Sequence, residues 1–114
     1  MSTTMDIDSV ITEADRHFPA LYQLFGGYFH QDWREDHDDP DAAVRAFTLD
    51  APPDAVAAAA DELDDLLGSG LDDSALNRIL EQGFGCDYSP SADGITALQW
   101  LEGILHTLRA GSPY

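Results

Sequence analysis

The sequence contains no lysine and only one cysteine, Cys86, and each scarcity excludes a class of protein. A single cysteine cannot form an internal disulfide, which argues against a small secreted scaffold held by disulfides. The longest unbroken apolar run, Ala55 to Ala60, is far shorter than the about 20 residues that cross a bilayer. The N-terminus has neither the basic start nor the apolar stretch of a secretion signal, so the sequence predicts a cytoplasmic protein with no membrane span.

Positive charge is scarce as well. Five arginines face 22 acidic residues, which gives a formal net charge of -17. A protein this negative repels a phosphate backbone, so we expect no direct binding to DNA or RNA. A cationic partner explains the acidity, and so does a salt-adapted or GC-rich organism that enriches all of its soluble proteins in aspartate.

Apolar residues recur at helical spacing, and no stretch alternates apolar and polar residues as a half-buried strand does. A chain of 114 residues, 44% of them hydrophobic, is long enough to bury one core. We therefore predict a single all-α domain of about five helices over residues 1–114, with residues 1–8 as a frayed leader. A short turn is expected near Ser9 to Asp15. Longer helices are predicted from Pro19, from Pro40 after an Asp39 cap, over Pro53 to Leu67, from Asp72 or Asp73 to before Gly83, and from about Thr96 to Arg109.

The apolar stripes of these helices define the predicted core. In the helix over 53–67 the stripe comprises Val56, Ala59, Ala60, Leu63, Leu66 and Leu67. In the last helix it comprises Leu98, Leu101, Leu105 and Leu108, widened by Trp100 and Ile104. Gly26 and Gly27 weaken the helix that begins at Pro19, so close packing is expected on that face.

Signals for catalysis and metal binding are weak. No nucleophile motif surrounds Cys86, and Gly83-Phe84-Gly85 fits neither a P-loop nor a dinucleotide fingerprint. The residues between 30 and 39 lack the glycine and glutamate positions of a calcium loop and the well-separated ligands of a zinc site. The sequence therefore predicts no enzyme, no metal and no cofactor, although one dense group of possible ligands exists: His30, Asp32, Asp36, His37, Asp38 and Asp39.

Exposed carboxylates are candidates for contact with a basic protein, because complementary charge speeds encounter and binding surfaces collect on loops. A solvated surface explains the same density, and composition does not separate the two interpretations. The candidate contact residues are Asp32, Glu35, Asp36, Asp38, Asp39 and Asp41 in a loop, and Asp54, Asp61 and Asp65 on the polar side of the helix over 53–67.

A rare aromatic segment, Tyr28-Phe29-His30-Gln31-Asp32-Trp33, precedes this loop. After the helix that ends in Leu66-Leu67 come Gly85-Cys86-Asp87-Tyr88, Pro90, Gly94 and a closing helix with Trp100-Leu101. In this order, over about residues 17 to 109, the chain resembles the CdiI-type immunity proteins of contact-dependent growth inhibition and related polymorphic toxin systems. The resemblance implies a small helical cytoplasmic protein that binds and neutralises a toxin domain delivered by a neighbouring cell, with no catalysis and no cofactor.

The motif residues are expected to build the core more than to touch a partner. Large aromatic rings with one polar tip suit a helix end that packs onto the interior. Direct contact with a toxin is the alternative, since exposed tyrosine and tryptophan are frequent binding hot spots. The residues of this mainly structural set are Tyr28, Phe29, His30, Gln31, Trp33, Cys86, Tyr88 and Trp100.

Three functional hypotheses follow from the sequence. The leading one is an immunity protein that inhibits a cognate toxin stoichiometrically. Many delivered toxins act on nucleic acids and so carry basic clefts, which predicts a basic toxin domain as the partner. The second is an acidic helical adaptor, regulatory protein or nucleic-acid mimic, and the third is a small metal-dependent enzyme that uses His30, Asp32 and His37.

Overall fold

The computed structural model describes residues 7–111, and within that range the chain forms helices joined by short loops, with no strand. This confirms the all-α prediction. The number of helices was predicted wrongly, because eight α-helices are present in the described range where about five were expected. They are α1 (Ile7–Thr12), α2 (Ala14–His17), α3 (Pro19–Tyr28), α4 (Trp33–Asp36), α5 (Pro40–Asp50), α6 (Pro53–Gly68), α7 (Asp73–Arg78) and α8 (Ala97–Gly111).

The beginning of the chain accounts for two of the additional helices. The turn expected near Ser9 to Asp15 is instead α1 followed by α2, with Val10 and Ala14 buried. Of the predicted frayed leader, residues 7 and 8 belong to α1, and residues 1–6 lie outside the described residues. Helices of six and four residues carry no repeated apolar stripe, so periodicity does not reveal them.

The starts of the long helices follow from residues that suit a first turn. The first N–H groups of a helix have no partner within it, so proline, which lacks an N–H, suits the first helical position. The helices α3, α5 and α6 begin at Pro19, Pro40 and Pro53. Before α8, the Thr96 hydroxyl accepts from the Gln99 N–H at 3.0 Å, and the Gln99 side chain accepts from the Thr96 N–H at 3.1 Å. This reciprocal capping box fixes the start of α8.

Aspartates cap α5 and α7. The Asp39 carboxylate accepts from the Ala42 N–H at 2.7 Å, as predicted, and Asp72 rather than Asp73 caps α7 by accepting from the Ala75 N–H at 2.8 Å. The chain then continues from α7 into a π-helical turn, Ile79–Gly83, and later forms a 3-10 turn over Pro90–Asp93.

Two helix N-termini are capped by carboxylates from distant parts of the chain. Glu62 of α6 accepts from the Ala20 and Leu21 N–H groups at 3.0 and 3.1 Å, at the start of α3. Asp73 accepts from the Ala97 N–H at 2.6 Å, at the start of α8. The first N–H groups of a helix have no partner within it and form its positive end, so these carboxylates join α6 to α3 and α7 to α8.

The core forms where α6 packs against α8 and α3, and where α8 packs against α5. Leu63 of α6 and Leu101 of α8 are fully buried, as their stripes predict. Leu98 was assigned to the stripe of α8 wrongly, since 42% of it is exposed at the first turn of that helix. Within residues 7–111, every helix is too short or too polar to cross a bilayer.

The close packing expected at the glycine pair occurs at one position only. A Cβ on Gly26 would lie 3.1 Å from the Phe84 carbonyl oxygen, whereas a Cβ on Gly27 would meet nothing within 4 Å. The absence of a side chain at Gly26 therefore allows α3 to lie directly against the backbone that follows the π-helical turn.

Leu63→Ala is expected to lower the free energy of unfolding by about 2–5 kcal/mol, because it leaves a cavity in the core. Leu49→Ala is the matched control, since Leu49 is 83% exposed and its truncation should change stability by less than about 0.5 kcal/mol. Urea denaturation followed by far-ultraviolet circular dichroism measures both. Equal losses for the two variants would contradict the assignment of the core.

Candidate functional site

Five rings form an aromatic cluster: Phe25, Phe29, Trp33, Tyr88 and Trp100. Phe29 contacts all four of the other rings, and the Trp100 ring centroid lies 5.3 Å from that of Phe29, 5.6 Å from that of Phe25 and 4.8 Å from that of Tyr88. Trp33 contacts Phe29 at 5.5 Å and Tyr88 at 5.7 Å between centroids. No member is more than 6% exposed. The cluster brings together residues of the two motif segments that the sequence analysis singled out.

Of the polar groups in the aromatic cluster, the Tyr88 hydroxyl has a hydrogen-bond partner in the described chain and the two indole N–H groups have none. The Tyr88 hydroxyl donates to the Asp93 carboxylate at 2.5 Å, and burial, together with Asp93, raises the pKa of Tyr88. The buried indole N–H groups of Trp33 and Trp100 have no hydrogen-bond partner within the described part of the chain. An unpaired buried donor costs about 1–3 kcal/mol, so these rings stabilise the fold through apolar contact.

Tyr28, at the end of α3, links the acidic loop (residues 32–41) to α5. Its ring stacks on His37 with 6.1 Å between centroids and meets Phe47 edge-on at 5.5 Å. Its hydroxyl donates to the Asp50 carboxylate at 3.4 Å, and partial burial, with a smaller contribution from Asp50, raises the pKa of Tyr28. These contacts hold the loop against the C-terminal half of α5.

The histidines of the possible metal-ligand group have separate environments. His30 Nδ1 accepts from the Asp32 N–H at 3.1 Å, and His30 Nε2 lies 3.5 Å from Asp36 Oδ2. His37 instead stacks on the Tyr28 ring. Among residues 7–111, no three histidine, cysteine or acidic side chains converge as a metal site does. Gln31, which follows His30 in the sequence, is exposed.

The acidic loop presents all six of its predicted contact residues to solvent. Two carboxylates have partners within the protein: Asp39 caps α5, and Asp36 lies beside His30. The remaining four make no side-chain hydrogen bond or ion pair with any described residue: Asp32, Glu35, Asp38 and Asp41.

The second predicted group, the acidic ridge of Asp54, Asp61 and Asp65, lies on the exposed side of α6. At about 1.5 Å of rise per residue, Asp61 and Asp65 are separated by about 6 Å along the helix. Among the described residues, no hydrogen bond or ion pair joins the ridge to the acidic loop. The nearby Asp64 pairs instead with Arg109 of α8, with 3.4 Å between Oδ2 and the guanidinium.

A groove of about 410 Å³ runs between α5 and α8, and sequence reasoning did not find it. Val44 and Ile104 contribute to its apolar lining, and Asp41 and Arg45 contribute charged groups. We call it the α5–α8 groove. Leu49, which also belongs to α5 but does not line the groove, is the most exposed large apolar residue of the described chain, at 83%. Its position in α5, outside the stripe of Ala43, Val44 and Phe47, was a signal available in the sequence.

Cys86 lies in the segment that follows the π-helical turn and is 5% exposed. Its thiol donates to the Tyr88 carbonyl oxygen at 3.5 Å. Burial, with a smaller contribution from the Asp87 carboxylate, raises the pKa of Cys86 to about 12. The thiolate form that acts as a nucleophile is therefore strongly disfavoured at neutral pH.

Comparisons with known proteins agree with this geometry. A family model described as CdiI immunity protein matches residues 17–108. A chain from the crystal structure of a CdiA-CT/CdiI complex of Y. kristensenii 33638 is similar, with 25% sequence identity and a TM-score of 0.77. The similarity covers 82% of this chain and 99% of that one. No curated protein matches the sequence.

The environment of Cys86 predicts slow alkylation. At pH 8 the folded protein should react with iodoacetamide at least about a hundredfold more slowly than the chain unfolded in guanidinium chloride, because the raised pKa keeps the thiol protonated and burial blocks access. Mass spectrometry of timed samples measures the rate, with the unfolded chain as the control. Equal rates in the two states would show that Cys86 is accessible and ionised.

Proposed function

This chain belongs to the CdiI immunity protein family, and on that premise we propose that it binds a cognate toxin domain one to one in the cytoplasm and blocks it without turnover. The observation that carries the proposal is the family match over residues 17–108, which spans the aromatic cluster, the acidic loop and most of α8. The similar fold of a chain from a CdiA-CT/CdiI complex supports it.

The chemistry of the described residues favours binding over catalysis. Phe29 and Trp33 of the aromatic segment are buried, the one cysteine is a buried thiol with a raised pKa, and His30 and His37 face different partners. What the loop and the ridge offer to solvent are carboxylates of α4, α5 and α6 and of the residues that flank α4. Fixed surface charges suit recognition of another protein, because they steer its approach and fix its orientation.

A basic toxin domain is the partner that fits this surface. With 22 acidic residues and a net charge of -17, the chain attracts a cationic protein over a range set by ionic strength. In the acidic loop, Asp32, Glu35, Asp38 and Asp41 have no competing partner among the described residues, so they are available to lysine and arginine. We propose the same use for the acidic ridge on α6.

The test measures association of the parent protein with candidate toxin domains encoded beside this gene, by surface plasmon resonance at several salt concentrations. A loop variant carries Glu35→Gln, Asp36→Asn, Asp38→Asn and Asp39→Asn. Asparagine is chosen at 39 because it caps a helix as well as aspartate does. We expect the loop variant to associate about tenfold more slowly at low salt, and added salt to slow the parent in the same way.

A charge-matched control separates the loop from net charge. It neutralises four exposed carboxylates outside the loop and the ridge, all of them without a side-chain hydrogen bond or ion pair among the described residues: Asp15→Asn, Glu81→Gln, Asp87→Asn and Glu102→Gln. The control should associate faster than the loop variant. Identical rates for the two variants would reduce the loop to a solvated surface, and no binding by the parent would contradict the proposed partner.

A further inference from the structure

We infer that the α5–α8 groove anchors the toxin, and that it receives a lysine or arginine side chain from a basic surface of that domain. The inference rests on the proposed function, which supplies the partner but leaves open where the partner docks. The acidic loop ends at Asp41, on the first turn of α5, so the groove is continuous with the surface that is proposed to steer the approach.

The groove has a fixed apolar floor. Val44 is 2% exposed, Ile104 3% and Trp100 6%, so the floor consists of core residues whose positions are set by the fold. Trp100 also belongs to the aromatic cluster, and its contacts with Phe25 and Phe29 tie the floor to the end of α3. The volume of about 410 Å³ lies within the range of ordinary ligand pockets, and a whole side chain fits.

The charges of the groove select the occupant. A lysine or arginine side chain has a long apolar stem and a cationic head, and such side chains lie along apolar surface with the head at a polar edge. Here the stem meets Val44 and Ile104, and the head meets Asp41. The Asp41 carboxylate has no hydrogen bond or ion pair with any described residue, so it is available for a charge-assisted bond.

Arg45, one turn beyond Asp41 on the same face of α5, is unpaired in a protein rich in carboxylates. In the described part of the chain, each of the other four arginines has a side-chain partner. Ion pairs join Arg16 to Glu13, Arg78 to Asp8 and Arg109 to Asp64, and the Arg34 guanidinium lies over the Trp33 ring. An unpaired arginine next to an unpaired aspartate gives the groove one contact of each sign, which fixes the register of a docked chain. Leu49, a further turn along, extends the same face with apolar surface.

The groove between α6 and α8 is larger, at about 530 Å³, and its lining combines an ion pair with the carboxylate of Glu102, which is unpaired among the described residues, but no residue of the acidic loop lines it. Asp64 and Arg109 form an ion pair across it at 3.4 Å. A toxin side chain that bound Asp64 there would have to displace that pair. The α5–α8 groove needs no such exchange.

Gly103 allows the α5–α8 groove to be filled without disturbing the core. It lines the groove, and a Cβ placed on it would meet nothing within 4 Å. Gly103→Leu therefore puts a side chain into the groove while improving the helical propensity of α8. Gly27→Leu is the matched control, because a Cβ there also meets nothing within 4 Å and Gly27 lies in α3, outside the groove.

Affinity for a candidate toxin domain encoded beside this gene is measured by titration calorimetry, and folding by thermal melting. We expect Gly103→Leu to weaken binding about tenfold or more, as blocking a central anchor does, while Gly27→Leu binds like the parent and both variants melt no lower than the parent. Parental affinity for Gly103→Leu would overturn the inference. Failure of the parent itself to bind would instead overturn the proposed function, and the inference with it.

A second pair of variants tests the chemistry of the occupant. Asp41→Asn should weaken binding severalfold and make it less sensitive to salt, whereas Asp15→Asn, which changes the same charge on α2, should leave affinity at the parental value. If Gly103→Leu weakens binding and Asp41→Asn does not, the groove is occupied by a side chain other than a cation, and the inferred occupant is wrong.

Discussion

Ring contacts around Phe29 hold together parts of the chain that are far apart in sequence. Phe25 and Phe29 come from α3 and its end, Trp33 from α4, and Tyr88 from the segment before the 3-10 turn. Each of these elements is short or irregular beside the long helices α6 and α8. Because the rings are nearly fully buried, the acidic loop that leaves Trp33 and the floor of the α5–α8 groove both take their positions from the same cluster.

The carboxylates of this acidic chain divide into two kinds by their contacts. Glu62 and Asp73 cap helices from a distance, and Asp39 and Asp72 cap their own helices, so their charge compensates N–H groups that have no helical partner. The remaining surface carboxylates stabilise little, since the ion pairs they form with arginine are exposed and worth at most about 1 kcal/mol each. Self-repulsion at that density costs stability. A cationic partner would relieve it, which connects the composition of the chain to its proposed role.

The sequence predicted the elements with strong local signals. Proline at the first turn marked α3, α5 and α6, and the stripe around Leu63 identified the buried face of α6 correctly. The helices α1, α2 and α4 escaped prediction because four to six residues show no period. Leu98 was misplaced because the spacing of α8 includes it, whereas the first turn of the helix lies at the edge of the core. The aromatic motif led to the family, and the acidic loop was visible from composition. The groove was not, because it depends on how α5 and α8 pack, which is a tertiary contact without a sequence period.

The most direct measurement of the central claim is growth of cells that express a candidate toxin domain encoded beside this gene, with this protein supplied at graded levels from a second promoter. The account predicts that growth stops without the protein, resumes when its amount matches that of the toxin, and stops again when the toxin is in excess, because a stoichiometric inhibitor does not turn over. Growth arrest that persists with folded protein in excess would contradict toxin neutralisation. Full protection at protein levels far below those of the toxin would contradict a stoichiometric mechanism.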